Sequence, residues 1–224
     1  LAYSNQLDAK MTSEAFDVIM SGQASDGQIG AFLIALQING VNKNHVLGAL
    51  EVMQKKMISV NVPKNSIDTC GTGGDGIGSL NVSTATAFVV AASGIPIAKH
   101  GNKALTSKCG SADVLEALNI KLIADPKELE KCINEINICF MFAPNHHPAM
   151  KYVGKVRQEV GIRTIFNMLG PLLNPGKVNS QLVGVFRNIF SQLKPTPAGA
   201  AVLKRLALGR HPVLNMPVGP AAKI

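Results

Sequence analysis

Apolar residues in the first 60 positions recur three and four apart, the period of an amphipathic helix. Ile29, Phe32, Leu33 and Leu36 share one such face, and Ser25-Asp26-Gly27-Gln28 precedes them in the Ser-x-x-Gln form of a capping box. Gly40 is placed to end that helix, and a further one is predicted from about Asn44 to Met57. Pro63-Lys64-Asn65 reads as a link. Beyond it the pattern changes. Short apolar segments at 66–70, 95–98, 137–142 and 181–186 read as buried strands. Helical segments at 82–92 and 112–118 fall between them, with another opened by Asp125-Pro126-Lys127-Glu128 and one running from Pro148 to Glu159. Strands alternating with helices predict an α/β layer with a mainly parallel sheet. The expected organisation is a helical domain at 1–63, an α/β domain at 64–186 and a basic tail at 187–224.

Composition changes this picture in two places. The net charge of +8 suggests a nucleic-acid partner until its distribution is inspected. Residues 187–224 hold six of the 22 basic side chains (Arg187, Lys194, Lys204, Arg205, Arg210 and Lys223) and no acid. Residues 1–186 therefore carry 16 basic against 14 acidic groups and are close to neutral. Aromatic residues make up 4% and Trp is absent, so stacking platforms for bases are scarce and no nucleic-acid partner is expected. No apolar run is long enough to span a bilayer, and residues 1–10 lack a signal-peptide layout, so no membrane partner and a cytoplasmic location are expected. Cys70, Cys109, Cys132 and Cys139 form no CxxC pair and fit no common zinc spacing; they read as reduced thiols.

Three stretches carry candidate chemistry. Asp68-Thr69-Cys70-Gly71-Thr72-Gly73-Gly74-Asp75-Gly76 follows a predicted strand, and Asn81-Val82-Ser83-Thr84-Ala85-Thr86-Ala87 opens a helix soon after. Glycines allow close approach of backbone to an anion, and helix-start N–H groups with the Ser83 and Thr84 hydroxyls suit phosphate. The motif lacks the spacing of a dinucleotide fingerprint and the Gly-Lys-Ser/Thr of a P-loop. The second stretch is Lys99-His100-Gly101-Asn102-Lys103-Ala104-Leu105-Thr106-Ser107, followed by Lys108, Cys109, Gly110 and Ser111, the last read as capping the next helix. Two loops at strand C-termini face one crevice in an open α/β sheet. The third contains His146, His147, Arg157 and the segment from Arg163 to Pro175. Adjacent histidines on a helix start point apart and make poor co-ligands for one metal. Arg157 is suited to gripping a planar carboxylate with its fork.

In order, the GTGGD, NVST, KHGN, GSADVLE and RTIFNMLGPLLNP blocks resemble the anthranilate phosphoribosyltransferase family over about residues 10–186. The resemblance implies a nucleoside phosphorylase/phosphoribosyltransferase type of fold. It also implies transfer of the phosphoribosyl group of phosphoribosyl pyrophosphate to the amine of anthranilate, in tryptophan biosynthesis. By position it assigns Gly71, Gly74, Asp75 and Ser79, the run Asn81, Val82, Ser83 and Thr84, and Ser111 to phosphoribosyl pyrophosphate. The segment Lys99, His100, Gly101, Asn102, Lys103, Ala104, Leu105, Thr106 and Ser107 closes over the same substrate. Gly71, Asn102, His147 and Arg157 are assigned to anthranilate, and Ser83 to Mg2+. No side-chain nucleophile is implied. A homodimer is, formed through the helical region.

Two departures accompany the resemblance. Lys103 stands where the family usually has Arg, and the motif match stops near Phe186, short of an adjacent Asp-Glu pair that helps hold magnesium in the family; here the last acid is Glu159. Two alternatives stay open on sequence: a pyrimidine nucleoside phosphorylase, which shares the architecture, and an inactive, truncated binder of phosphoribosyl pyrophosphate.

Overall fold

The computed structural model describes residues 7–71, 81–104 and 109–184. In chain order these form α1 (Ala9–Met20), α2 (Asp26–Asn39), α3 (Lys43–Lys55), β1 (Ile67–Gly71), α4 (Val82–Ala92), β2 (Ile97–Gly101), α5 (Ser111–Ala117) and α6 (Pro126–Ile136). Then come β3 (Ile138–Phe142), α7 (Ala143–His146), a 3-10 turn at Pro148–Met150, α8 (Lys151–Val160), α9 (Phe166–Leu169), a second 3-10 turn at Gly170–Leu172 and β4 (Ser180–Gly184). The chain divides into two units: 7–57 with His147–Leu173, and 58–146 with 174–184.

The first unit is helical. The Asp8 carboxylate caps α1 by accepting from the Met11 N–H at 2.7 Å. The capping box predicted at Ser25 is present in both directions: Gln28 Oε1 accepts from the Ser25 N–H at 2.9 Å, and Ser25 Oγ from the Gln28 N–H at 3.3 Å. Helices α1 and α3 pack closely at Gly48, where a Cβ would overlap the Ala9 carbonyl and the Thr12 side chain. Phe16, Met20, Ile29, Leu33 and Leu36 form the core with Val153, Val156, Ile165, Phe166 and Leu169. The helix opened by Pro148 therefore packs on the N-terminal helices. The sequence reading assigned 147–173 to the α/β part; the structure places this segment in the helical unit, because its apolar stripe completes the helical core.

The second unit holds a four-stranded sheet of order β3-β2-β1-β4, with every pair parallel. Helices contribute Leu129 and Ile133 of α6 to one apolar cluster with Ala98, Cys139 and Met141. Ala87 and Ala91 of α4 pack with Ile97 in another. Burial by helices is the expected setting for a parallel sheet. The strand order reverses beside β1, with β2 and β3 on one side and β4 on the other. In open parallel sheets, ligands bind beyond the strand C-termini at such a reversal.

One strand boundary differs from expectation. Instead of ending at Ala98, β2 begins at Ile97 and runs through Gly101, so Lys99 and His100 belong to the strand. Lys99 is only 2% exposed. The physical reason lies in its polar partners on β1 and α4.

Candidate functional site

Asn81 caps α4. Its Oδ1 accepts from the Thr84 N–H at 3.2 Å, Thr84 Oγ1 at 2.8 Å and Ser83 Oγ at 3.2 Å. One side-chain oxygen thus orders the NVST segment, and the helix start presents its remaining first-turn N–H groups and partial positive charge. Val82 is 65% exposed, and its apolar side chain offers an anion no donor, so only its backbone N–H could serve one. Strand β1 is tied to the same turn, because Thr69 Oγ1 donates to the Ser83 carbonyl at 2.8 Å.

Lys99 underlies this junction. Its Nζ donates to the Thr69 carbonyl and to Ser83 Oγ, the latter at 3.3 Å. Burial pushes its pKa down, and the nearby Asp68 opposes that shift. Asp68 is itself fully buried. Its Oδ1 accepts from the His100 N–H at 3.2 Å, and its Oδ2 from Asn174 Nδ2 and Gln181 Nε2, each at 2.9 Å. Burial raises its pKa, against the pull of Lys99 and these donors. Asn174 Nδ2 also donates to the Ala98 carbonyl at 2.9 Å. A continuous polar network therefore runs from β4 through β1 and β2 to the start of α4. Sequence inspection missed Asp68, Asn174 and Gln181 as members of it. The available signal was their position: an acid at the head of the glycine-rich motif and an Asn near the end of the RTIFNMLGPLLNP block.

The second loop is closed by Asp113. Its Oδ2 accepts from the Gly110 N–H at 2.7 Å and the Ala104 N–H at 2.8 Å. These two bonds hold its pKa below the usual carboxylate range. The Ala112 N–H donates to the Asn102 carbonyl at 3.2 Å. The loop passes so near Gly110 that a Cβ there would lie 2.5 Å from Ala104 N and 2.6 Å from the Asn102 carbonyl oxygen. Ser111 is the first residue of α5 and Gly110 its cap position, so Ser111 is not the cap. Lys103 forms an ion pair with Glu116 at 2.9 Å, half-exposed on both sides. Its charge is engaged on α5 in this structure. Gly71 ends β1 opposite Gly184 of β4, and Gly101 ends β2 opposite Phe142. The expected contacts Gly74, Asp75, Ser79, Leu105, Thr106 and Ser107 lie outside the described residues.

Arg157 and His147 belong to the helical unit. Arg157 is half-buried and its guanidinium sits 5.3 Å from the Phe166 ring centroid. Burial lowers its pKa. No carboxylate partner pairs with it among the described residues. His147 is buried, and its carbonyl accepts from the Met150 N–H at 2.9 Å.

Mg2+ was expected at Ser83. That hydroxyl already donates to Asn81 and accepts from an ammonium group. Among the described residues no group of three or more His, Cys, Asp or Glu comes together. Cys70 and Cys139 are poorly placed as nucleophiles: burial pushes the Cys70 thiol well up and the Cys139 thiol to about 12. All four cysteines are free thiols. Among the described residues no helix is long and apolar enough to cross a membrane.

Comparison with known proteins agrees with this geometry. Residues 1–57 match the helical bundle domain of the glycosyl transferase family, and residues 63–219 match its a/b domain. That second match runs past Phe186, where the motif-by-motif resemblance stops. Anthranilate phosphoribosyltransferase of Bradyrhizobium sp. (strain ORS 278) is 50% identical over 203 residues, 91% of this chain and 59% of the relative. The same enzyme of Rhodopseudomonas palustris (strain BisB18) is 52% identical over 192 residues, 86% of this chain and 57% of the relative. The crystal structure of anthranilate phosphoribosyltransferase (TrpD) from Thermus thermophilus superposes with TM-score 0.80 at 38% identity, covering 90% of this chain and 60% of that one. The Saccharomyces cerevisiae enzyme in complex with PRPP and Mg gives TM-score 0.80 at 31% identity, covering 89% and 59%. The chain thus spans somewhat under two thirds of the length of these relatives. With both of the family's domains matched and the helical and parallel-sheet units present, this chain belongs to the glycosyl transferase family.

Proposed function

We propose that the chain serves transfer of the phosphoribosyl group from phosphoribosyl pyrophosphate to the amine of anthranilate. The products are N-(5-phosphoribosyl)anthranilate and pyrophosphate, in a step of tryptophan biosynthesis. The observation that carries this reading is the cradle at the start of α4: Asn81, Ser83 and Thr84 ordered over the buried Lys99 ammonium, beside the end of the glycine-bearing strand β1. The named relatives favour this reaction over phosphorolysis of a pyrimidine nucleoside.

The chemistry needs little from side chains as reactants. The C1–O bond to pyrophosphate breaks, the C1–N bond to the amine forms, and the amine proton leaves to solvent. Positive charge builds on the ribose and negative charge on the departing pyrophosphate. A preorganised set of N–H and ammonium donors stabilises that negative charge without reorganising during the reaction. The α4 start and Lys99 provide such donors. Holding the reactants in register supplies much of the remaining acceleration. Arg157, braced on Phe166 and without an acidic partner among the described residues, is the group for the anthranilate carboxylate. His147 and Asn102 are assigned lesser contacts. Mg2+ use is supported by the yeast relative's complex with PRPP and Mg; held in part by Ser83, the ion would supply charge neutralisation for the leaving pyrophosphate. Exposed Met11, Val18 and Ile38 on the helical unit support a homodimer, and free thiols a cytoplasmic location.

The test is to follow anthranilate fluorescence with phosphoribosyl pyrophosphate and Mg2+ present. Consumption that requires both substrates is expected. No consumption, together with phosphorolysis of thymidine or uridine, would overturn the reading.

A further inference from the structure

We propose that Asp68 is a positioning residue for the anion cradle, fixing the Lys99 ammonium against Thr69 and Ser83 before any phosphate arrives. This rests on the function proposed above. Among the described residues Asp68 is the only buried acid and Lys99 the only buried Lys or Arg. Both direct partners of Lys99, the Thr69 carbonyl and Ser83 Oγ, are neutral. An ammonium withdrawn from water needs negative charge nearby, and Asp68 is the group that supplies it.

The geometry shows how Asp68 also sets position. The register between β1 and β2 pairs Ile67 with Ile97 at their N-terminal ends. One residue further along β1, the Asp68 carboxylate reaches across to the His100 N–H. The residue before His100 on β2 is Lys99, whose side chain reaches back to Thr69, the residue after Asp68 on β1. The two strands are thus cross-laced by side chains where they approach the cradle. The second Asp68 oxygen accepts from Asn174 Nδ2 and Gln181 Nε2, which also donate to the Ala98 carbonyl on β2 and to Cys70 Sγ on β1. Both amides direct N–H groups at Asp68, so an isosteric amide at position 68 must set donor against donor. Lys99 has three N–H donors and uses two among the described residues. The third has no partner among the described residues.

The test compares the full chain with D68N and with the swap D68N/Q181E, which keeps one carboxylate among the same amides but moves it to β4. Three quantities are read: melting temperature, affinity for phosphoribosyl pyrophosphate by calorimetry, and native-state acetylation of Lys99 by mass spectrometry, with exposed Lys155 as the internal standard. In the wild type, Lys99 should label at least tenfold more slowly than Lys155 without ligand. D68N should speed Lys99 labelling and weaken the ligand at least tenfold. The swap should recover melting temperature more than affinity. Lys99 labelling as fast as Lys155 in the wild type overturns the proposal whether or not the variants fold. So does wild-type affinity in a folded D68N, or full recovery of affinity in the swap. A wild type that binds no phosphoribosyl pyrophosphate yet protects Lys99 in an Asp68-dependent way refutes the proposed substrate and retains the positioning role.

Discussion

Lys99 Nζ lies 3.3 Å from Ser83 Oγ, joining the middle of a buried strand to the first turn of α4. Replacing Lys99 by Met leaves the Asp68 charge buried without its cation. The expected loss is on the order of 3 kcal/mol, the range for breaking a buried charge pair. Urea denaturation measures it. Lys99→Arg keeps the charge but brings a planar fork too wide for the junction, and it should recover less than half of that stability. Full recovery by Arg would show that charge alone matters here.

Asp113 sets a pH dependence at the second loop. Its folded pKa is depressed by the Ala104 and Gly110 N–H bonds. A depressed carboxylate contributes stability that is complete above its unfolded pKa of about 4 and is lost as pH falls through the lower folded value. Amide exchange at Ala104 and Gly110 should therefore be protected at pH 6 and lose that protection only at a pH below the ordinary carboxylate range. Asp113→Ala should abolish the protection at pH 6 and cost about 1 kcal/mol, as for other helix-start caps. Protection that persists in Asp113→Ala would remove the residue from this role.

Gly110→Ala places a methyl against backbone, 2.5 Å from Ala104 N and 2.6 Å from the Asn102 carbonyl oxygen. Backbone cannot rotate away as a side-chain end can, so the loop must shift. A destabilisation of about 1–3 kcal/mol is expected from such overpacking. Thermal melting checks the cost, and phosphoribosyl-pyrophosphate affinity should fall in parallel.

Arg157→Ala should raise the anthranilate requirement about 10–100-fold, the scale of a lost charge-assisted hydrogen bond, with the co-substrate requirement changed less than twofold. Steady-state kinetics with each substrate varied separates the two. An equal rise in both would point to a general disturbance of the helical core around Phe166.

Much of this was legible in the sequence where cause and effect are local. Ser25 and Gln28 are three residues apart, and their capping box could be read directly. Asp125 likewise caps α6 through the Lys127 N–H at 2.8 Å, with Pro126 at the first helical position. What escaped was set by distant partners. Lys99 looks like a loop residue because buried strands are read from apolar runs, and its burial depends on Thr69 and Ser83. Asn174 and Gln181 meet Asp68 across 106 and 113 positions of chain. The stripe of Val153 and Val156 predicts a buried helix face but cannot name the core it joins.

The central claim is that the start of α4 is built to hold the phosphates of phosphoribosyl pyrophosphate. Calorimetric titration of that compound into the full chain, with Mg2+ present, tests it most directly. Saturable binding at one site per chain is predicted, displaced by pyrophosphate and weakened at least tenfold by Asn81→Ala. Absence of saturable binding by a folded chain, or binding indifferent to Asn81→Ala, would contradict it.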